Sequence, residues 1–280
     1  MLGYRHAFHA GNHADILKHL VLYHCLRYMT KKPKPLLYLD THAGAGAYHL
    51  GEGFSAQTRE WESGIQRLSG NVPVSAPRES VAEYLEFIQE YGGIHPGEYP
   101  GSPALAAALL RPGDRLSLRE IHPADLEELR IRFAGDGRVD VQGTDGFASV
   151  RAVLPPPSRR GLVILDPPYE LASDYDRVVE ALAEALGRFE TGTYMVWYPL
   201  LERPEARALP ARLSALTTRQ KLSAELRVRD IGPGDRGLAG SGIFVVNPPW
   251  PLESALRSAL PFLADTLGQD PAASGRLETT

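Results

Sequence analysis

The residues best placed to do chemistry are Asp166-Pro167-Pro168-Tyr169, which follow the apolar run GLVIL (161–165) without a break. Proline has no N–H and a fixed φ, so the two prolines leave carbonyl oxygens that no neighbouring donor competes for. A planar amine entering here meets two acceptors, the Asp166 carboxylate and the Pro167 carbonyl. Tyr169 offers a face on which a base can stack, a contact worth about 1–3 kcal/mol. Asp166 and Pro167 are therefore candidate catalytic groups. Tyr169 is a candidate both for catalysis and for holding the substrate.

Three further places share this form, an apolar run ending on polar or glycine residues. DTHAGAGAY (40–48) turns on glycines, which let a backbone approach a ligand closely. It lacks the third glycine of a pyrophosphate loop and the Lys-Ser/Thr of a phosphate loop. It suits a nucleoside without phosphates, or simply a tight turn. Glu120 follows LSLR, where a carboxylate can accept from two ribose hydroxyls. It lies much farther from the glycine loop than the usual ~20 residues, so the intervening stretch reads as an insertion. Asp145-Gly146 is either a partner for the exocyclic amine of an adenine or an ordinary Asp-Gly turn.

The elements that must carry these groups are legible. Residues 14–29 have helical spacing with Asn12 or His13 at the start, and 36–40 form a strand. Helical candidates at 57–69 and 78–91 fall in the insertion, about 48–98. A helix over 102–110 has Ser102 as its expected N-cap and Pro103 at its first position. Strands at 115–120, 138–146, 161–169 and 192–200 then alternate with helices at 123–133, 147–154, 173–189 and 206–216. Residues 224–231 and 241–249 look like a closing antiparallel pair. Alternation of this kind predicts an α/β fold with a mostly parallel sheet, whose ligands sit beyond the carboxyl ends of the strands. NPPW (247–250) copies the form of DPPY, but such a sheet has a single cofactor cleft, and we read NPPW as structural. Residues 1–268 are expected to form one domain and the polar tail, 269–280, to be unstructured.

Composition narrows the class. The 280 residues are 43% hydrophobic and 23% charged with net charge −4, which suits a globular protein and excludes general disorder. One cysteine, Cys25, excludes an internal disulfide framework and a cysteine-based zinc site. No apolar run is long enough to span a membrane, and the polar, histidine-rich start is not a secretory signal, so the expected compartment is the cytoplasm. Charge is uneven. Residues 1–36 carry Arg5, Lys18, Arg27, Lys31, Lys32 and Lys34 against Asp15 alone, whereas 79–98 carry five glutamates and no Lys or Arg. The basic end is either a phosphate-binding face or an ordinary solvated surface.

Together these pieces resemble the class I S-adenosylmethionine-dependent methyltransferases. DPPY after the fourth strand resembles the amino methyltransferases, which modify exocyclic amines of adenine or cytosine, or a glutamine amide. The likeness extends along the chain. MLGYRHAFHAGNHADILKH, LYLDTHAGAGAY, YPGSP, EIHP, DGF, SRRG, ILDPPYE, WYP and SGIFVVNPPW occur in order from residue 1 to residue 250. This is similar to the bacterial large-subunit rRNA adenine-N6 methyltransferases, the RlmJ family. The resemblance implies a Rossmann-like class I fold with a small helical insertion and S-adenosyl-L-methionine as cofactor. By its motifs, Lys18, His19, His42, Ser102, Glu120, Asp145, Gly146 and Asp166 contact the cofactor, and Asp166 is the catalytic acid. Tyr4 and His6 lie near the target base. Taken without the resemblance, each histidine is a packed or capping residue.

The implied partner is 23S rRNA, at N6 of the adenine conventionally numbered 2030. Arg5, Lys18, the 31–34 cluster, Arg159, Arg160 and the insertion are candidates for RNA backbone contacts. No metal is required, since the methyl donor is already activated, and a monomer is expected. Two competing readings remain open from the residues: a methyltransferase for DNA adenine or protein glutamine, and an RNA-binding module without catalysis.

Overall fold

The computed structural model describes residues 5–71, 79–232, 234–235 and 237–280. A short 3-10 turn, His6–Phe8, leads into α1 (His13–Met29), which Asn12 caps by accepting from Ala14 and Asp15 N–H. Then come β1 (Leu37–Asp40), β2 (Ala47–His49), α2 (Ser55–Thr58), a π turn (Glu62–Gln66), α3 (Arg67–Ser69), α4 (Glu79–Ile94) and β3 (Glu98–Pro100). The second half runs α5 (Ser102–Leu109), β4 (Arg115–Arg119), α6 (Pro123–Arg132), β5 (Val139–Gln142), α7 (Gly146–Val153), β6 (Gly161–Leu165), α8 (Ala172–Arg188), β7 (Thr193–Pro199), α9 (Pro204–Ala215), β8 (Lys221–Arg227), β9 (Gly240–Val246), α10 (Leu252–Leu267) and β10 (Ser274–Thr279).

One eight-stranded sheet has the order β10-β8-β9-β7-β6-β1-β4-β5. The five strands from β7 to β5 are parallel, and β9, β8 and β10 continue the sheet antiparallel. This is the expected α/β, Rossmann-like architecture with a mostly parallel central sheet. Alternation along the strands divides the core. Tyr38, Leu162 and Ile164 face the layer of α1, α5 and α10, while Leu39, Val163 and Leu165 face α7, α8 and α9. Both faces of β1 and β6 are covered, which is why LYLD and GLVIL are almost wholly apolar.

Four expectations change. The tail from 269 is ordered: Ser274–Thr279 pairs with Leu222–Arg227 as β10 and closes the sheet edge. Its polar composition reflects an edge strand with little to bury, since all but Leu277 of its residues are exposed. The helix expected over 57–69 is broken, because Gly64 lies against the backbone of Gly11, where a Cβ would come within 2.0 Å of the carbonyl oxygen. Ile65 N–H donates to that same carbonyl at 2.8 Å. Ser102 is the first residue of α5 rather than its cap; Gly101 occupies the cap, and the Ser102 hydroxyl is used elsewhere. The segment between β1 and β4 is also more than helical, since β2 and β3 pair as an antiparallel ribbon at its neck.

Gly146 marks the tightest approach in the fold. A Cβ there would lie 1.7 Å from the Thr41 carbonyl oxygen, so α7 can start only here if residue 146 has no side chain. Gly146→Ala is expected to destabilise the protein by about 1–3 kcal/mol through overpacking, as read by urea denaturation. Gly113→Ala, whose Cβ meets nothing within 4 Å, is the matched control and should change little.

Candidate active site

The loop after β1 is folded onto the end of β4 by backbone donors. Glu120 accepts from Gly44 N–H with Oε2 and from His122 N–H with Oε1, both at 2.7 Å. Gly44 has φ +58°, and a Cβ on it would stand 2.3 Å from the Tyr48 hydroxyl, so the turn requires glycine. Burial raises the Glu120 pKa against the pull of these N–H groups. Beneath the loop lies Asp40, fully buried, accepting from the Tyr38 and Ser102 hydroxyls at 2.7 Å each and from His42 N–H at 3.2 Å. Burial raises its pKa as well.

A cleft opens over this loop at the carboxyl ends of β1, β4 and β6. Its lining includes Lys18, His19, His42, Ser102, Glu120 and Asp166, six of the residues expected to meet the cofactor. His42 Nδ1 lies 2.8 Å from the Thr41 hydroxyl, and its ring meets Phe147 edge-on at 4.8 Å. His19 is buried, with Nδ1 3.0 Å from the Tyr99 hydroxyl and no hydrogen-bond partner for Nε2 among the described residues. Burial lowers His19 to about 3 and His42 to about 4, so both rings are neutral at pH 7.

Two expected cofactor contacts stand back from the cleft. Asp145 caps α7 by accepting from Phe147 N–H at 3.0 Å and pairs with Arg177, while Gly146 is packed on Thr41. The cleft wall at this point is made by Phe147 and by Arg177, whose guanidinium sits 4.3 Å over the Phe147 ring. Neither residue stands out in the sequence, because the wall is assembled from two helices.

The Asp166 carboxylate is held by charge. Lys18 Nζ lies 2.7 Å from Asp166 Oδ2 and 2.9 Å from Asp15 Oδ1, and His6 Nε2 lies 2.9 Å from that same Asp15 oxygen. Asp15 and Lys18 are buried; burial works to raise the Asp15 carboxyl, but its close contacts with His6 and Lys18 outweigh this and hold it well below its ordinary range. Lys18 therefore lines the cleft, but its ammonium is engaged by two carboxylates and is not available to RNA phosphate. Arg5 is similarly engaged, by Asp125 at 2.5 Å and by the Phe54 ring. Asp15 was legible as the single acid of the basic N-terminal stretch; its role was not.

A second cavity lies on the other side of Asp166. Lys18, His6, Asp166 and Pro168 line both cavities, and Trp197, Pro199 and Leu201 give the second its apolar wall. Tyr169 does not stack there. Its ring is buried against Tyr175 and Trp197, and its hydroxyl donates to the Trp197 carbonyl at 2.7 Å. The aromatic lining of the second cavity is Trp197, from WYP; Tyr169 supports it from behind. Pro167 lines the first cleft. Tyr4 lies outside the described residues. Among the described residues no group of three or more His, Cys, Asp or Glu could hold a metal ion, and no helix is long and apolar enough to cross a membrane.

The chain is similar to known proteins over nearly its whole length. A family model described as ribosomal RNA large subunit methyltransferase D, RlmJ, matches residues 33–278. The chain is 46% identical over 269 residues to the ribosomal RNA large subunit methyltransferase J of Haemophilus influenzae, covering 95% of this chain and 94% of that one. It is 44% identical over 268 residues to the protein of the same name from Escherichia coli, with the same coverage. Among solved structures, protein LPL1258 from Legionella pneumophila superposes with a TM-score of 0.84 at 32% identity, covering 97% of this chain and 98% of that one.

The buried histidines give a pH prediction. His19 and His42 bind a proton near 6.5 in the unfolded chain but only at about 3 and about 4 when folded. The unfolded state thus binds more protons as pH falls below 6.5, and their contribution to stability, complete above that pH, is lost towards pH 4. Each should add up to about 1.4 kcal/mol per pH unit to the slope. Asp40 and Glu120, raised by burial, act in the opposite sense, so the comparison is between wild type and His42→Gln. Urea denaturation at stepped pH should give a shallower slope for the variant; parallel curves would mean that His42 already takes a proton when folded.

Proposed function

The chain belongs to the RlmJ family of ribosomal RNA large subunit methyltransferases, and from that premise we propose that it methylates the exocyclic N6 of one adenine in 23S rRNA, the adenine conventionally numbered 2030, with S-adenosyl-L-methionine as donor. The observation that carries this reading is that two cavities meet at one carboxylate, Asp166. A donor on one side and an acceptor base on the other would face each other across it.

The residues of the first cleft fit the donor. Glu120 presents a carboxylate at the end of β4, where ribose hydroxyls are held in folds of this kind. Phe147 and the half-exposed Ile121 offer apolar surface for an adenine ring. The buried His19, which also lines this cleft, has no hydrogen-bond partner for Nε2 among the described residues, and that atom lies 3.8 Å from Asp15 Oδ1. The glycine loop has no phosphate-binding lysine, which suits a nucleoside without phosphates. When bound, S-adenosyl-L-methionine supplies an activated methyl group.

The chain's own residues do the rest. The N6 lone pair of adenine is delocalised into the ring, so the amine needs acceptors on its N–H bonds. Lys18 fixes Asp166 through Oδ2, leaving Oδ1 to accept from N6, with the Pro167 carbonyl as second acceptor. Together they localise the lone pair and aim it across the junction, so that catalysis is mainly positioning. Trp197, Pro168, Pro199 and Leu201 enclose the base and exclude water. The proton released by the methylated nitrogen passes to Asp166 Oδ1. A paired N6 is out of reach, so the adenine enters unstacked.

The test is single-turnover methylation of an rRNA fragment, with a DNA duplex and a glutamine peptide as competing substrates. Asp166→Ala is expected to lower the rate about 10²–10³-fold, as for loss of one preorganised polar contact. Asp166→Asn should also be poor, because its amide cannot take the proton. Calorimetry with S-adenosylhomocysteine should show little change for either, while Glu120→Ala weakens that binding by about 1–3 kcal/mol. Wild-type turnover by Asp166→Ala would refute the mechanism, and methylation confined to DNA or peptide would refute the substrate.

A further inference from the structure

At the end of the sheet opposite the cleft, the chain builds a rigid surface that the chemistry above does not use. Lys31, Lys32 and Lys34 precede β1, Arg159 and Arg160 precede β6, and NPPW (247–250) follows β9. Because β9 is antiparallel to β7, its last residue, Val246, pairs with Tyr194 at the start of β7. All three segments therefore meet at the amino ends of the parallel strands.

The lysine loop is braced by arginines that bond its backbone. Arg111 donates to the carbonyls of Thr30, Lys32 and Lys34, and Arg160 donates to those of Met29 and Lys34. The carbonyls are thereby satisfied and the lysine side chains are left in solvent. The neighbouring acids are already engaged, Asp114 by Arg111, Glu190 by Arg219 and Glu253 by Arg257. The NPPW turn is just as firmly held. Asn247, at φ +51°, donates from Nδ2 to the carbonyls of Glu190 at 2.8 Å and Gly192 at 2.7 Å. Two prolines follow, and Trp250 stands out 77% exposed, steadied by the edge of Tyr28 at 6.5 Å. Arg159, exposed and with a left-handed φ of +54°, lines a groove together with Tyr28, Lys32 and Trp250.

An exposed tryptophan on a fixed turn, sharing a groove with Lys32 and Arg159 next to Lys31 and Lys34, matches the chemistry of single-stranded nucleic acid: an aromatic face for a base and positive charge for the phosphates. We propose that this surface is a second RNA-docking site, where an unpaired base outside the target stacks on Trp250 and Lys31, Lys32, Lys34 and Arg159 hold the flanking phosphates. The proposal rests on the reading that RNA is the substrate. Asp166 lies six residue steps along extended chain from Arg160, which sets the two sites about 20 Å apart. Only an RNA extending well beyond the target adenine can occupy both. The site therefore selects for a longer rRNA segment and takes no part in methyl transfer.

The experiment uses the full chain with two fragments of 23S rRNA, a short stem-loop carrying the target adenine and a longer one extending beyond it. Anisotropy titrations give affinity, and methylation assays give kcat and KM. Trp250→Ala is expected to weaken binding of the longer fragment about 5- to 150-fold. Trp250→Phe should recover most of it. In the Lys31→Ala/Lys32→Ala/Lys34→Ala variant, the slope of log affinity against log salt should flatten by about 2, as for three lost single-strand phosphate contacts. Stem-loop binding and kcat at saturating RNA should stay at wild-type values. Equal binding of the longer fragment by wild type and both variants would overturn the proposal, and this is also the result if the surface serves a protein partner instead. The two readings fail separately. Trp250-dependent binding without methylation would refute the activity and leave the docking site. Methylation indifferent to fragment length and to these variants would do the reverse.

Discussion

The contact on which the site depends is the buried ammonium of Lys18 between Asp15 and Asp166. Taking an ion out of water costs several kcal/mol unless close partners compensate, and removing one partner from such a pair costs about 3–5 kcal/mol. The arrangement therefore tolerates little displacement. It ties the first turn of α1 to the end of β6, and through His6 it also ties down the N-terminal turn. The Asp166 carboxylate thereby acquires a fixed direction where the two cavities touch. A helix packed only by apolar contacts would seal the sheet equally well without orienting Asp166.

The glycine loop follows the same logic with neutral donors. Glu120 holds the loop through two N–H groups, and Asp40 holds it from beneath through Tyr38, Ser102 and His42. Groups expected to act on a ligand are thus also groups that shape the cleft. Ser102 illustrates the overlap. It lines the cleft, but its hydroxyl is spent on Asp40, so its first effect is to fix α5 against β1.

DPPY and NPPW show how strand direction decides the fate of a motif. Both follow apolar strands, and in both a residue of the turn, Tyr169 or Asn247, has a left-handed φ of +51°. β6 runs parallel with its neighbours and delivers Asp166 to the cleft, whereas β9 runs antiparallel and delivers Trp250 to the far end. The two aromatics are treated in opposite ways. Tyr169 is buried as a support for Trp197, and Trp250 is left in solvent.

The sequence by itself determined the order and kind of the main elements, because apolar runs, glycine turns and prolines act locally. It also determined the candidacy of Asp166, Glu120 and the glycine loop, since in a parallel sheet such residues at strand ends fall together on one rim. Only the tertiary structure decided which charges face a ligand. Lys18 and Arg5 looked like free cations in a basic stretch, but their partners Asp166 and Asp125 lie far away in the chain, and no local pattern predicts that pairing. The same holds for the aromatic of the second cavity, the break at Gly64 and the strand formed by the polar tail. Each depends on a neighbour brought close by the fold: the β7 end at Trp197, the Gly11 carbonyl, and the open edge of β8. Local propensity cannot encode such contacts, because their energy comes from groups that meet only once the sheet has assembled.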